Sequence, residues 1–203
     1  MNRLMRKHID TYEDFSKVTE RSLHHTLAES KLSLSDSDIS ELMKAYDSLS
    51  TFPDVEPALK AISSKDSISP YVFSNGTQIM VSNSVKKSPD LGPHSSVFKD
   101  LIVIEEVKRY KPAPEVYEML ARKTGKEGAH HEMWLVSGNP FDIVGARYFG
   151  MKAAWVDRAG NGWTDGMIEG KEGRPTVIVK SLEEVADLVS KHAQNLADVD
   201  KAV

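Results

Sequence analysis

The spacing of apolar residues changes character about a third of the way along the chain. Before that point the period is helical. Phe15, Val18, Ser22 and Leu23 give a ragged helical face. In SLSDSDISELMKAYDSL, Ile39, Leu42, Met43, Tyr46 and Leu49 recur at helical intervals. Ser35 or Asp36 stands where that helix needs a cap. Asp54 stands where a third needs one, with Val55, Leu59 and Ile62 facing inward.

From about residue 70, short apolar runs alternate with amphipathic stretches. YVFS (71–74), LIVI (101–104), MWLVS (133–137), KAAWVD (152–157) and TVIV (176–179) predict strands, and LIVI reads as one covered on both faces. KPAPEVYEMLARKTG predicts a helix that Pro112 or Pro114 starts and Gly125 ends. Another helix runs from the loop after MWLVS to Phe149 and Gly150. SLEEVADLVSKHA opens with a capping box, Ser181 and Glu184, and shows an apolar face of Leu182, Val185, Leu188 and Val189. Strands alternating with helices predict an α/β fold with a parallel sheet beside a helical segment. The division expected is a helical segment over 1–65, an α/β core over 66–193 and a frayed tail over 194–203.

Composition narrows the function classes. A net charge of -4 gives no reason to expect nucleic acid or an anionic membrane as partner. The absence of cysteine excludes disulfides, thiolate metal sites and thiol catalysis. No run approaches the roughly 20 apolar residues of a membrane span. The start, MNRLMRKHIDTYEDF, has no continuous apolar stretch of a secretory signal, and Asp10, Glu13 and Asp14 argue against a mitochondrial presequence. A cytoplasmic protein is the expectation.

Candidate chemistry gathers at the carboxyl ends of the strands, where open parallel sheets bind ligands. The first of them yields Ser74 and Asn75, followed by Gly76. Lys111 follows the second in EEVKRYKPAPEVY. The third yields Ser137, Asn139 and Asp142 in WLVSGNPFD. Each alone has a plainer reading: a turn, a solvated helix start, a first-turn acid favoured by the helix dipole. Their order along successive strands is the stronger signal. The pairs His24–His25 and His130–His131 read as solvated surface, as do Glu105 and Glu106, while Phe149 and Trp155 read as core. Ser137 has no histidine at a spacing that suggests a serine triad.

The ordered set resembles the haloacid dehalogenase superfamily, and more narrowly its type II haloacid dehalogenases. The matching stretches are YVFSNGT, EEVKRYKPAPEVYEML and WLVSGNPFDIVGARYFGMKAAWVDR, and the helical first third is similar to that family's cap. The resemblance implies a Rossmannoid parallel sheet with a helical cap domain. It implies hydrolytic dehalogenation of a small anionic 2-haloacid through an aspartyl ester, without metal or cofactor. Ser74 and Asn75 would bind the substrate carboxylate or the departing halide. Lys111 would balance negative charge, and Tyr117 and Phe141 would line the pocket. Ser137 and Asn139 would position the nucleophile. Asp142 would pair with Lys111 and orient the hydrolytic water.

The sequence departs from the family pattern at its front. The family nucleophile closes a first, central strand and precedes a Gly-Thr turn; no such stretch stands ahead of the cap-like segment. Asp10 follows Arg6, Lys7 and His8 rather than an apolar run, and neither Arg3 nor Arg6 has the context of the family's substrate-gripping arginine. The expectation is a chain without the nucleophilic aspartate, inactive as written, whose sheet lacks its central strand and leaves open edges on the YVFS and MWLVS strands. Such edges also predict self-association, as in a homodimer. One alternative is a non-catalytic remnant or isoform that binds a small acid or dimerises. Another is a magnesium phosphatase of the same superfamily, disfavoured because SGNPFD supplies a single acid.

Overall fold

The computed structural model describes residues 12–46 and 50–200, the side chains of 195–200 excepted; Arg3, Arg6, Asp10 and Leu49 lie outside the described residues. Helix α1 (Phe15–Glu29) starts at Asp14, whose carboxylate accepts the Lys17 N–H at 3.0 Å. Helix α2 (Asp36–Tyr46) has a reciprocal cap. Ser35 Oγ accepts the Asp38 N–H at 3.2 Å, and the Asp38 carboxylate accepts the Ser35 N–H at 3.1 Å. These two helices stand off the core: α1 buries no residue and α2 only Ile39, and Leu32, Leu34 and Leu42 are exposed.

Helix α3 (Val55–Ser63) buries Ala58 and Leu59. Asp54 precedes it but does not cap it, contrary to the sequence expectation. Its carboxylate turns away to take two hydrogen bonds from Arg158, at 3.0 and 3.1 Å, and the Leu182 N–H at 2.9 Å. A bidentate guanidinium is a stronger partner than a helix amide, and Phe52 lies under the same guanidinium at 4.2 Å. Asp54 therefore fastens the entry of α3 to the far end of the chain.

Among the described residues the parallel sheet is in two pieces. Strand β1 (Val72–Ser74), followed by the short helix α4 (Gln78–Ser82), pairs with β2 (Leu101–Val103), and Ser74 lies opposite Val103. The LIVI run leaves the sheet one residue early: Ile104 is fully buried but begins a 3-10 turn. Helix α5 (Pro114–Thr124) begins at a proline and ends at Gly125, whose φ of 67° is left-handed, as the sequence predicts. Strand β3 (Trp134–Ser137) leads into helix α6 (Pro140–Tyr148) and pairs with β4 (Lys152–Val156), which pairs with β5 (Val177–Val179). A capping box of Ser181 and Glu184 precedes helix α7 (Val185–Asp200). That helix passes Gln194, where the sequence reading begins a frayed tail; no glycine or proline interrupts it. No helix among the described residues is long and apolar enough to cross a membrane.

Among the described residues no strand joins β1 to β3. In a parallel ladder the N–H and C=O of one residue point to the same side, and successive residues alternate. The Val72 N–H donates to Asp100 O, so Phe73 turns its backbone groups to the open side of β1. The Lys152 N–H donates to Met133 O, which leaves Trp134 and Val136 facing the open side of β3. One core nevertheless holds both pieces. Ile102 and Ile104 from one, Leu135, Ala153 and Trp155 from the other, and Val116, Tyr117, Met119, Leu120 and Ile143 from α5 and α6 form a single buried cluster. Phe149 packs on that cluster and carries His130, its ring tilted by 36° at 4.3 Å between centroids. His130 is thus half-buried against an aromatic face rather than solvated like His131.

The Asp54 fastening generates an expected outcome. Asp54→Ala lowers the unfolding free energy by about 1–3 kcal/mol, the cost of leaving the Leu182 amide and the Arg158 head without their acceptor, as read by urea denaturation at neutral pH. Burial pushes the Asp54 carboxyl up, but the Arg158 hydrogen bonds, the Leu182 amide and the Arg158 charge together hold it below the usual carboxylate range. A lowered folded value contributes stability above the unfolded value of about 3.9 and loses it as pH falls through the folded one. Asp54→Asn is therefore less stable than the parent at neutral pH, and its stability falls less steeply below about pH 4.

Candidate active site

The carboxyl ends of β1 and β3 meet at one lysine. Ser74 Oγ accepts the Gly76 N–H at 3.0 Å and folds the SNG turn back on itself. Asn75 Oδ1 accepts the Lys111 N–H at 3.0 Å, which ties this turn to the segment entering α5. From there the Lys111 side chain reaches across the open side of β1. Its ammonium donates to Phe73 O at 3.1 Å, a carbonyl that no strand takes among the described residues, and lies 4.8 Å from the centre of the Phe73 ring.

On its other side the ammonium meets Asp142 Oδ1 at 3.0 Å. This contact is an ion pair rather than an aligned hydrogen bond, because Oδ1 has no hydrogen-bond donor in line. Oδ2 accepts the Ser137 hydroxyl at 2.9 Å, and Ser137 Oγ in turn accepts the Asn139 N–H at 3.0 Å. Asp142 lies in the first turn of α6, where the helix amides favour negative charge. Both side chains of the pair are 7% exposed. Two charges withdrawn from water to that degree cost several kcal/mol each unless paired and bonded; the Phe73 carbonyl, the Phe73 ring and the Ser137 hydroxyl offset that cost.

The structure thus joins Asn75, Lys111, Asp142 and Ser137 in one chain of polar contacts, with Ser74 in the adjoining turn. Tyr117 lies beside it, fully buried in the core rather than on an open wall. Its hydroxyl has no hydrogen-bond partner among the described residues. Burial, and then the charge of Asp142, hold the phenol above the usual tyrosine range. Phe141 is 45% exposed, and the Asn139 side chain is exposed and does not cap α6. Phe73 was missed by sequence reasoning: its contribution is a backbone carbonyl and a ring face, and a residue-type motif signals neither. A cleft of about 280 Å³, lined by Ser16, Glu20, His24 and Ile39, lies between α1 and α2 and is separate from this site.

The arrangement offers an incoming anion a fixed cation. Among the described residues Phe73 O is the hydrogen-bond acceptor of the Lys111 ammonium and Asp142 its ion-pair partner, which leaves the ammonium donor capacity for a ligand. Asp142 is held by Lys111 and Ser137, so it is an anchor for the cation, not a free base.

Residues 2–150 match the family model for haloacid dehalogenase-like hydrolase. The haloacetate dehalogenase of Moraxella sp. (strain B) is 30% identical over 149 residues, 73% of this chain and 63% of that protein. An (S)-2-haloacid dehalogenase of Pseudomonas putida is 31% identical over 176 residues, 87% of this chain and 73% of that protein. The chain therefore spans less than two thirds of the first relative's length and nearly three quarters of the second's. The structure of L-2-haloacid dehalogenase from Xanthobacter autotrophicus with chloropropionic acid covalently bound matches with a TM-score of 0.75 at 25% identity, over 92% of this chain and 80% of that one.

The buried pair makes the site sensitive to removal of either partner alone. Lys111→Met strands the Asp142 charge and costs about 3–5 kcal/mol of stability, whereas Lys111→Met with Asp142→Leu recovers most of the loss. A double-mutant cycle by urea denaturation measures this; a loss in the double variant equal to the sum of the two single losses would show that the two groups are not coupled.

Proposed function

The chain belongs to the family of haloacid dehalogenase-like hydrolases, and from that premise we propose that its Lys111 site is built for a small 2-haloacid. The observation that carries the reading is the buried ammonium of Lys111, held between Phe73 O and Asp142 where two strand ends meet. In the proposed reaction an enzyme carboxylate attacks the halogen-bearing carbon. The carbon–halogen bond breaks, halide departs and an ester forms. Water then adds to the ester carbonyl, returning the carboxylate and releasing a 2-hydroxy acid and a proton. Bringing an anionic nucleophile to an anionic substrate needs a nearby cation, and Lys111 supplies it. The amide of Asn75 and the hydroxyl of Ser74 offer donors to the substrate carboxylate or the leaving halide. Asp142 keeps Lys111 in place and, with Ser137, orients the water; Asn139 and Phe141, both exposed, flank the start of α6. Covalently bound chloropropionic acid on the Xanthobacter autotrophicus enzyme supports an ester route for this fold.

The attacking carboxylate has no candidate among the described residues. Asp142 is occupied by the lysine and by Ser137, and its charge is what holds the cation. The described residues are accordingly the supporting half of the site: they bind and balance, and the carbon–halogen bond is left to a group they do not supply. A magnesium-dependent phosphatase is the weaker reading, because the loop after β3 brings one acid and that acid is already paired.

The 203-residue chain is expected to bind 2-chloropropionate or propionate, to lose that binding in Lys111→Ala, and to release no halide. Loss of a covalent nucleophile costs on the order of 10⁶-fold in turnover, roughly 8 kcal/mol of barrier. Isothermal titration and a halide electrode read the two outcomes. Halide release that Lys111→Ala abolishes would overturn the supporting-half reading; magnesium-dependent release of inorganic phosphate would overturn the choice of substrate.

A further inference from the structure

Gly145 lies in α6, three residues beyond Asp142 and so on the same side of the helix. Its backbone is not among the left-handed glycines, so no turn requires a glycine there. Helix propensity disfavours glycine more than any residue but proline. Space is the remaining reason. A β-carbon at Gly145 would stand 2.2 Å from the Tyr117 hydroxyl oxygen, 2.7 Å from Pro112 Cβ and 2.9 Å from Tyr117 Cζ.

Pro112 follows Lys111 directly, and Asp142 precedes Gly145 by about one helical turn. The distance between the two segments at Pro112 and Gly145 therefore governs the distance between the two charges. We propose that Gly145 is a positioning residue: its missing side chain lets α6 close against Pro112 and Tyr117, so that Asp142 reaches the ammonium of Lys111. Carbon atoms need about 3.5 Å between centres, so a methyl group at this position drives α6 from Pro112 and Tyr117 by roughly 1 Å. The ion pair spans 3.0 Å. A shift of that size opens it to water and weakens the hold on the cation.

The same contact gives the proposal a direct reporter. The Tyr117 hydroxyl is buried without a hydrogen-bond partner among the described residues, beside the helix that carries Asp142. Displacing it changes its titration. A mere loss of fold stability in an otherwise unchanged native state does not.

The proposal rests on reading Lys111 and Asp142 as the acid-binding pair, and the experiment separates the two. The full chain is labelled with ¹³Cζ-tyrosine, and the Tyr117 signal is assigned with Tyr117→Phe. In Gly145→Ala the Tyr117 titration moves down toward the ordinary tyrosine value of about 10, and propionate affinity falls about tenfold. In Gly145→Ala with Tyr117→Phe the nearest clashing atom is gone while Pro112 Cβ remains, and affinity recovers in part toward that of Tyr117→Phe alone. An unmoved Tyr117 titration, or a double variant no better than Gly145→Ala, overturns the proposal. If Gly145→Ala does not fold, the double variant is expected to fold, and its failure to do so counts equally against the proposal. Absence of propionate binding in the parent chain sinks the acid-site reading, while the Tyr117 titration still decides on Gly145.

Discussion

The buried ion pair between Lys111 and Asp142 is the constraint to which the rest of the site is fitted. A lysine and an aspartate that are 7% exposed cannot be left with partial compensation. Every neighbouring feature answers that requirement. The ammonium takes the one β1 carbonyl that points to the open side, and it lies over the ring of the same residue. The carboxylate sits in the first turn of α6 and accepts the Ser137 hydroxyl. Asn75 fixes the backbone of Lys111, and Gly145 leaves room for the two segments to meet. Removing any one of these leaves a charge or a polar group unmet in a place that water reaches poorly.

Among the described residues the sheet is divided, and this gives the pair a second role. Strand edges left open expose backbone donors and acceptors that neither water nor a neighbouring strand satisfies when they are buried. Lys111 satisfies one of them, Phe73 O, from the side chain. The apolar cluster that spans α5, α6 and both pieces of the sheet holds them in one body without a continuous ladder. Hydrophobic packing and one charged bridge therefore do what backbone pairing does inside each piece. Val136, in the middle of β3, is 36% exposed, which is unusual for an apolar residue at the centre of a parallel strand and marks the same open side.

Elements whose signals are local were legible in the sequence. The Ser181–Glu184 capping box, the proline start and glycine end of α5, and the apolar runs that became β1, β3, β4 and β5 follow from residue types at fixed offsets. So did the gathering of Asn75, Lys111, Ser137 and Asp142, because strand order in a parallel sheet brings successive carboxyl ends together. What was not legible depends on distant partners. Asp54 has the place of a cap, but Arg158 and Leu182, more than a hundred residues later, outbid the helix amides for its carboxylate. His130 looks like a surface histidine until Phe149 is brought under it. Tyr117 was expected on a pocket wall as the resemblance implied; its ring is wholly buried between Phe73 and Phe149, and its hydroxyl lies against Gly145 of α6.

Charge bookkeeping explains why anchoring and attack fall to different groups. Lys111 and Asp142 together are neutral, so the site has no net charge with which to hold an anion. It has instead a cation already desolvated and oriented, whose reorganisation does not have to be repeated when an anion arrives. Were Asp142 itself to attack, it would have to leave the lysine, and the cation would lose its anchor as the second anion approached. A carboxylate bound from two sides is also a poor nucleophile, because its lone pairs are engaged by the Ser137 hydroxyl and the ammonium. In the reaction proposed above, attack therefore falls to a second carboxylate, and Asp142 keeps its place beside Lys111.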